Sequence, residues 1–214
     1  MGAILGHMPK SYAQETPSKP ASGDVTRQRL LSATATLIVE RGWAGATTRA
    51  VADLAGVNQA LVHYHFGSIE SLRREAVMAR LTPEMHRLIE ELLDERPLPE
   101  SIHRVMRLID RFDLGTESGV LMAEAMLQAM RDPEAAGAMT GIMGSWGEML
   151  GPRLAMAQER GTVRADIPAE RLTPVLAAFI DGFLMQRMVD PDLDSAAAAD
   201  TLIDLLGPPG EETP

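Results

Sequence analysis

The chain has 214 residues, of which 45% are hydrophobic and 23% charged, enough apolar material for a real core in one or two domains. The absence of cysteine excludes a disulfide scaffold, thiolate metal ligands and a cysteine nucleophile, and it fits a reducing cytoplasm. A net charge of −10 argues against a protein that coats nucleic acid, yet the charge is uneven: residues 24–80 hold seven arginines against five acids, whereas residues 81–214 hold 11 arginines against 24 acids.

Aromatic residues make up only 4% of the chain and methionine is abundant, which favours helices over strands. The first residues show no positive start followed by an apolar block, so no secretory signal is expected. The Gly6-His7-Met8 step resembles a cloning scar over residues 1–7, so Met8 is the expected natural start. Residues 1–23, rich in Pro, Ser and Gly, read as a disordered arm. The most apolar stretch, 175–189, is interrupted by Asp181, Gln186 and Arg187, so no membrane span is expected.

From Asp24, the spacing of Leu30, Thr34, Leu37, Ile38 and Arg41 predicts an amphipathic helix, with Asp24 or Thr26 at its start and Gly42 as a left-handed C-cap. Thr47 then stands as N-cap of a two-turn helix over 48–55, with Val51, Leu54 and Ala55 on its inner face and Gly56 ending it. Asn58 can cap a second short helix over 59–66, with Val57 and Val62 packed inward. Two short helices around a glycine turn form a helix-turn-helix over 47–66, the unit that lays its second helix in a DNA major groove.

Beyond it, Ser68 and Ser71 open a helix to about Leu81, and Pro83, Pro97 and Pro99 punctuate the next stretch. A helix over 100–114 buries Ile102, Val105, Met106, Ile109 and Phe112, and another starts at Gly119 with Leu121, Met122, Ala125, Met126, Ala129 and Met130 on one stripe. Asp132-Pro133 opens a helix that carries Met139, Ile142, Met143, Trp146, Leu150 and Leu154. Its glycines at 141, 144, 147 and 151 predict close packing, a kink or local mobility. Helices over 168–188 and 195–206 complete about nine, with no strand and no repeat. The expected fold is all-α: a three-helix head over 24–70, a larger helical bundle over 71–207, and a flexible tail over 208–214.

Gly42-Trp43, Thr47, Val51-Ala52, Ala55-Gly56-Val57 and His63-Tyr64-His65-Phe66, in this order, resemble the TetR family of bacterial transcriptional regulators over roughly residues 26–80. A second, looser likeness lies in Ala178-Phe179-Ile180-Asp181-Gly182-Phe183-Leu184 and Asp190-Pro191. The resemblance implies a homodimer whose two heads read a near-palindromic operator and let go when a small molecule enters the bundle. His63 stands where the family has tyrosine and Ile69 where it has lysine, and both departures bear on backbone contacts.

For the second helix of the motif, Gln59, Ala60 and Leu61 are candidates for base edges, since Gln pairs with adenine and Ala or Leu meets a thymine methyl. Thr47, Thr48, Arg49, His63, Tyr64 and His65 are candidates for phosphates, with Asn58 at the turn between them. His63 and His65 point apart on a helix, and His86 with Glu90 supplies only two ligands, so no metal is expected. No nucleophile, acid–base pair or phosphate loop has a recognisable setting, so neither an enzyme nor a cofactor is expected.

Methionines are flexible and polarizable and suit a pocket for an apolar or aromatic effector. Met106, Ile109, Phe112, Met122, Met126, Met143, Trp146, Phe179 and Phe183 are its candidates, the alternative being ordinary core filling. Leu176, Phe179, Phe183, Met188, Leu202 and Leu206 suit an intersubunit four-helix bundle with twofold symmetry. Together these expectations describe a cytoplasmic, ligand-responsive, dimeric repressor with operator DNA, a small effector and its own copy as partners. The alternatives are an activator, a regulator answering to another protein, and a helical binding protein or enzyme that does not use its head.

Overall fold

A computed structural model describes residues 22–94 and 96–208, apart from the side chains of 22, 93, 138 and 142–147. The expected arm falls almost wholly outside the described residues, as does the tail beyond 208. The described chain is all helical, with nine α-helices and one 3-10 turn and no strand.

Helix α1 (Ser22–Gly45) buries Leu30, Leu31, Leu37 and Ile38, together with Thr34, whose hydroxyl donates to the Leu30 carbonyl at 2.7 Å. Its regular part ends where expected, at Gly42 (φ 72°, ψ 172°), and one further turn leads to Gly45. Helices α2 (Thr48–Ala55) and α3 (Ala60–Phe66) fold against α1 and the start of α4 (Ile69–Leu93).

α4 runs 12 residues beyond Leu81, the expected end, straight through Pro83. Proline removes one backbone bond and crowds the preceding turn. Here Leu81, Met85, Leu88 and Leu92 continue the buried stripe of Leu72, Ala76 and Val77, so apolar burial on both sides of Pro83 outweighs that loss.

α5 (Leu98–Ile109) starts two residues earlier than expected, because Pro99 fits a first turn that needs no amide and Leu98 is buried. A 3-10 turn (Asp110–Phe112) follows, and Leu114, expected inside the helix, lies exposed beyond it. α6 (Glu117–Ala129) likewise starts before Gly119: Thr116 is its cap and accepts from the Gly119 amide at 3.1 Å. α7 (Pro133–Glu159) starts at Asp132-Pro133 as expected and spans 27 residues. α8 (Ala169–Val189) and α9 (Ser195–Leu206) pair with α7 and α5 respectively.

One contiguous apolar core runs from Leu30 in the head to Leu206 in α9, so the head is welded to the bundle rather than tethered to it. The expectation that no segment has the length and apolarity of a membrane span needs correction. The 21 residues of α8 do meet that test, while Leu172, Leu176, Ile180, Phe183 and Leu184 turn one side of the helix into the core.

Candidate nucleic-acid interface

The helix-turn-helix is built by local capping. The Thr47 hydroxyl accepts from the Ala50 amide at 3.2 Å and starts α2. Gly56 ends it in the left-handed region (φ 63°, ψ 43°), with the Val57 amide returning to the Ala52 carbonyl at 3.0 Å. Asn58 accepts from the Ala60 amide at 2.9 Å and opens α3, one residue later than expected. Val51, Ala52 and Ala55 form the buried arc of α2. Leu54, expected on that arc, is 53% exposed, because the arc is centred between Val51 and Ala52 and Leu54 falls roughly 100° to its side. It lines a groove of about 460 Å³ with Leu37, Glu40, Arg41, Arg49 and Asp53.

Val62 and Phe66 anchor α3 in the core, which leaves Gln59, Ala60, His63 and Tyr64 facing outward. Tyr64 is 80% exposed, an unusual position for an aromatic ring in a folded monomer and a suitable one for a groove contact. Leu61 packs half-buried against the core. His63 places Nδ1 3.0 Å from the Gly67 carbonyl, which fixes the ring at the exposed end of α3. His65 is half-buried: its ring meets Tyr64 edge-on at 5.0 Å and its far edge lies beside Gly23 of α1.

At the start of α2, Thr47 and Arg49 are exposed and Thr48 half-buried, around amides that a helix N-terminus leaves free for an anion. Arg49 stands 3.8 Å from Asp53 with both side chains mostly in solvent, a pair too weak to hold it from a phosphate. Arg27 is engaged, paired with Glu75 and stacked over Phe66 at 4.9 Å. Ile69, where the family pattern has lysine, packs half-buried on the core.

Polar links that sequence reasoning missed join this head to the bundle. Arg73 donates to the Ala46 carbonyl at 3.0 Å, Arg74 binds Asp132 at 2.9 Å and also Glu134, and Arg80 reaches Glu117 at 3.3 Å and Ser32 at 3.2 Å. The only sign of them in the sequence is the density of arginine along α4.

Among the effector candidates, Met106, Ile109, Phe112 and Met122 are buried on α5, the 3-10 turn and α6, which pack together. Met126 is half-buried, and Phe179 and Phe183 stack at 6.2 Å on α8. The side chains of Met143 and Trp146 lie outside the described residues. Asp110 is taken up structurally by Arg187, at 2.9 Å, and by Ser195, which ties α5 to α8 and α9. Burial pushes the Asp181 carboxyl up from the ordinary aspartate range.

Of the candidates for a subunit interface, Leu176, Phe183, Met188, Leu202 and Leu206 are already buried within one chain, and Phe179 is half-buried. The outer side of α8 instead exposes Val175, Ala178, Gly182, Met185 and Val189.

Comparison with known proteins agrees with this architecture. Residues 30–76 match the model of bacterial regulatory proteins of the TetR family, and residues 105–206 match the C-terminal model of BetI-type transcriptional repressors. The transcriptional repressor AcnR of Corynebacterium efficiens is 27% identical over 169 residues, 79% of this chain and 84% of that one. The transcriptional regulator UidR of Escherichia coli K12 is 23% identical over 85% of this chain and 91% of its own. Two solved structures share the fold at low identity. A transcriptional regulator from Saccharomonospora viridis in complex with choline has a TM-score of 0.68 at 22% identity, covering 85% of this chain and 95% of that one. The SmeT–triclosan complex has a TM-score of 0.69 at 19% identity, with 86% and 93% covered. The chain belongs to the TetR family and is a transcriptional regulator, not an enzyme.

Proposed function

We propose that the protein is a cytoplasmic repressor that binds a near-palindromic operator as a homodimer and is released by a small apolar or aromatic effector. The observation that carries the DNA contact is the outward face of α3, where Gln59, Ala60, His63 and Tyr64 stand clear on a helix anchored by Val62 and Phe66. Gln59, Ala60 and Leu61 meet base edges in this reading, while Thr47, Thr48, Arg49, Asn58, His63, Tyr64 and His65 fix register on phosphates and sugars. One head covers half a site, and two heads about 34 Å apart engage successive major grooves.

The outer stripe of α8 supports the dimer. Val175, Ala178, Gly182, Met185 and Val189 alternate steps of three and four, the spacing of a helix seam, and Val175 and Val189 are 65% and 77% exposed. Ala178 and Gly182 in the middle allow two such helices to approach closely. The inner apolar residues of α8 and α9 brace this surface from within the chain.

The effector site in this reading is the methionine-rich interior between α5, α6 and α8. Triclosan bound by SmeT is an aromatic precedent within the fold. A ligand that prefers the arrangement with displaced heads lowers operator affinity by its differential affinity for the two states. α4 carries the displacement in this reading, since it packs on α1 and α3 of the head and on α5, α6 and α7 of the bundle.

The test is a footprint on the DNA upstream of the protein's own gene at two salt concentrations. A protected inverted repeat that survives moderate salt is the expected result. Salt-sensitive protection without sequence preference, on this DNA and on fragments selected from the genome, overturns the reading.

A further inference from the structure

Residues 24–80 hold seven arginines, and the fold engages most of them. Arg27 pairs with Glu75, Arg74 with Asp132 and Glu134, and Arg80 with Glu117, while Arg73 donates to the Ala46 carbonyl. Arg41 and Arg49 line the groove between α1 and α2. Arg29 is the seventh. It is exposed and has no carboxylate or carbonyl partner among the described residues.

The path of α1 sets its place. At Gly23 the helix lies beside the His65 ring in the last turn of α3, and six residues later the Arg29 Nη2 lies 2.9 Å from the point where a Cβ on Gly56 would stand. The first turns of α1 thus run alongside α3, from its end back to the glycine turn that precedes it. Gly56 carries no side chain, so the guanidinium rests on the turn itself, at the C-terminal end of α2 where the helix dipole is negative. It donates no hydrogen bond there among the described residues, and its N–H groups face solvent, open to an anion. Thr47 and Arg49 stand at the other end of α2, a helix about 12 Å long.

We infer that Arg29 is a phosphate contact of the DNA complex, a cation from α1 that grips the backbone beside the entrance of α3. The inference rests on the proposed reading of α3 as the helix in the major groove. Contacts at both ends of α2 hold the head against rocking about the α3 axis, which an anchor at Thr47 and Arg49 alone would allow. Arg29 also brings the charge that Ile69 lacks. The family pattern has lysine at that position, whereas here the side chain is apolar and half-buried on the core.

The full chain is titrated onto the DNA upstream of its own gene and onto a scrambled duplex of equal length, over a series of salt concentrations. Arg29→Gln is expected to weaken binding to both duplexes by a similar factor, about tenfold or more. The slope of log affinity against log salt is expected to become shallower by about 0.9 for each head, about 1.8 for a dimer. Arg29→Lys keeps the charge and keeps the slope. Arg107→Gln, the same loss of charge on the exposed side of α5, changes neither affinity nor slope. An arginine that only braced the turn would alter affinity and leave the slope alone, so an unchanged slope in Arg29→Gln overturns the inference, as does an equal change in Arg107→Gln. Should Arg29→Gln fail to fold, Arg29→Met, which keeps an apolar stem, is read in its place. A parent protein that binds neither duplex overturns the reading of α3 and this inference together. A parent that binds, with a slope that Arg29→Gln leaves unchanged, overturns this inference alone.

Discussion

Arg73 and Ala46 are joined across 27 residues of sequence by a 3.0 Å hydrogen bond from Nε to the backbone carbonyl. The same guanidinium lies 5.9 Å from the centre of the Trp43 ring, and its side chain is largely buried. One residue of α4 thus clamps the turn that sets the angle between α1 and α2. Arg73→Ala leaves a carbonyl without its partner and removes the cover from Trp43. A loss of about 1–3 kcal/mol is expected, read from the urea midpoint. An unchanged midpoint would show that the clamp carries no net energy.

The helix-turn-helix face separates cleanly from the rest of the fold. Gln59→Ala with Tyr64→Ala removes two exposed side chains and no core contact. Operator binding is expected to fall to the non-specific level, with sedimentation and helical content unchanged. Retention of specific affinity would place the reading surface elsewhere.

On α8, Gly182 is exposed in the middle of the outer stripe, and a side chain added there meets nothing within the chain. Gly182→Arg is therefore compatible with the monomer and obstructs a twofold helix seam. Sedimentation equilibrium is expected to show a folded monomer with weakened operator binding. A dimer that persists in Gly182→Arg assigns the interface to another surface.

Gly119 and Gly137 offer opposite outcomes from one chemical change. A Cβ on Gly119 would overlap the carbonyl of Asp113, a backbone atom that has no room to yield while Thr116 caps α6. Gly119→Ala is expected to cost about 1–3 kcal/mol in thermal unfolding. Nothing meets a Cβ on Gly137, which is exposed in α7, so Gly137→Ala is expected to gain roughly 0.5–1 kcal/mol. A reversal of either sign contradicts the packing described.

Burial raises the Asp181 carboxyl above its unfolded value, so folding favours the protonated form. The contribution is fully present below the ordinary aspartate range and is lost as pH rises through the raised folded value. Asp181→Asn removes that loss. The variant is expected to be more stable than the parent near neutral pH, and its advantage should shrink as the pH is lowered. A gap in melting temperature that does not change with pH would exclude titration of Asp181 as its source.

Much of the head was legible because its signals are local. Thr47, Gly56 and Asn58 act on backbone groups two to four residues away, so their chemistry alone places the turn. The apolar periodicity of Leu30, Leu37 and Ile38 likewise identifies a buried face without reference to what covers it. Other choices are not local. Pro83 ends a helix or not according to whether the turns on both sides are buried, and that depends on helices far along the chain. α8 is apolar on two sides, so only the packing of α7 shows that Leu176 and Phe183 are spent on the chain's own core while Val175 and Met185 stand outside. The isolation of Glu124 is equally a tertiary fact. Its spacing on α6 is that of any solvated acid, and only the packing of the helices buries its Oε2 without a hydrogen bond among the described residues. Short-range hydrogen bonds and periodicity can be read from a chain as written, whereas competition among distant partners for the same charge or surface is settled only once the helices meet.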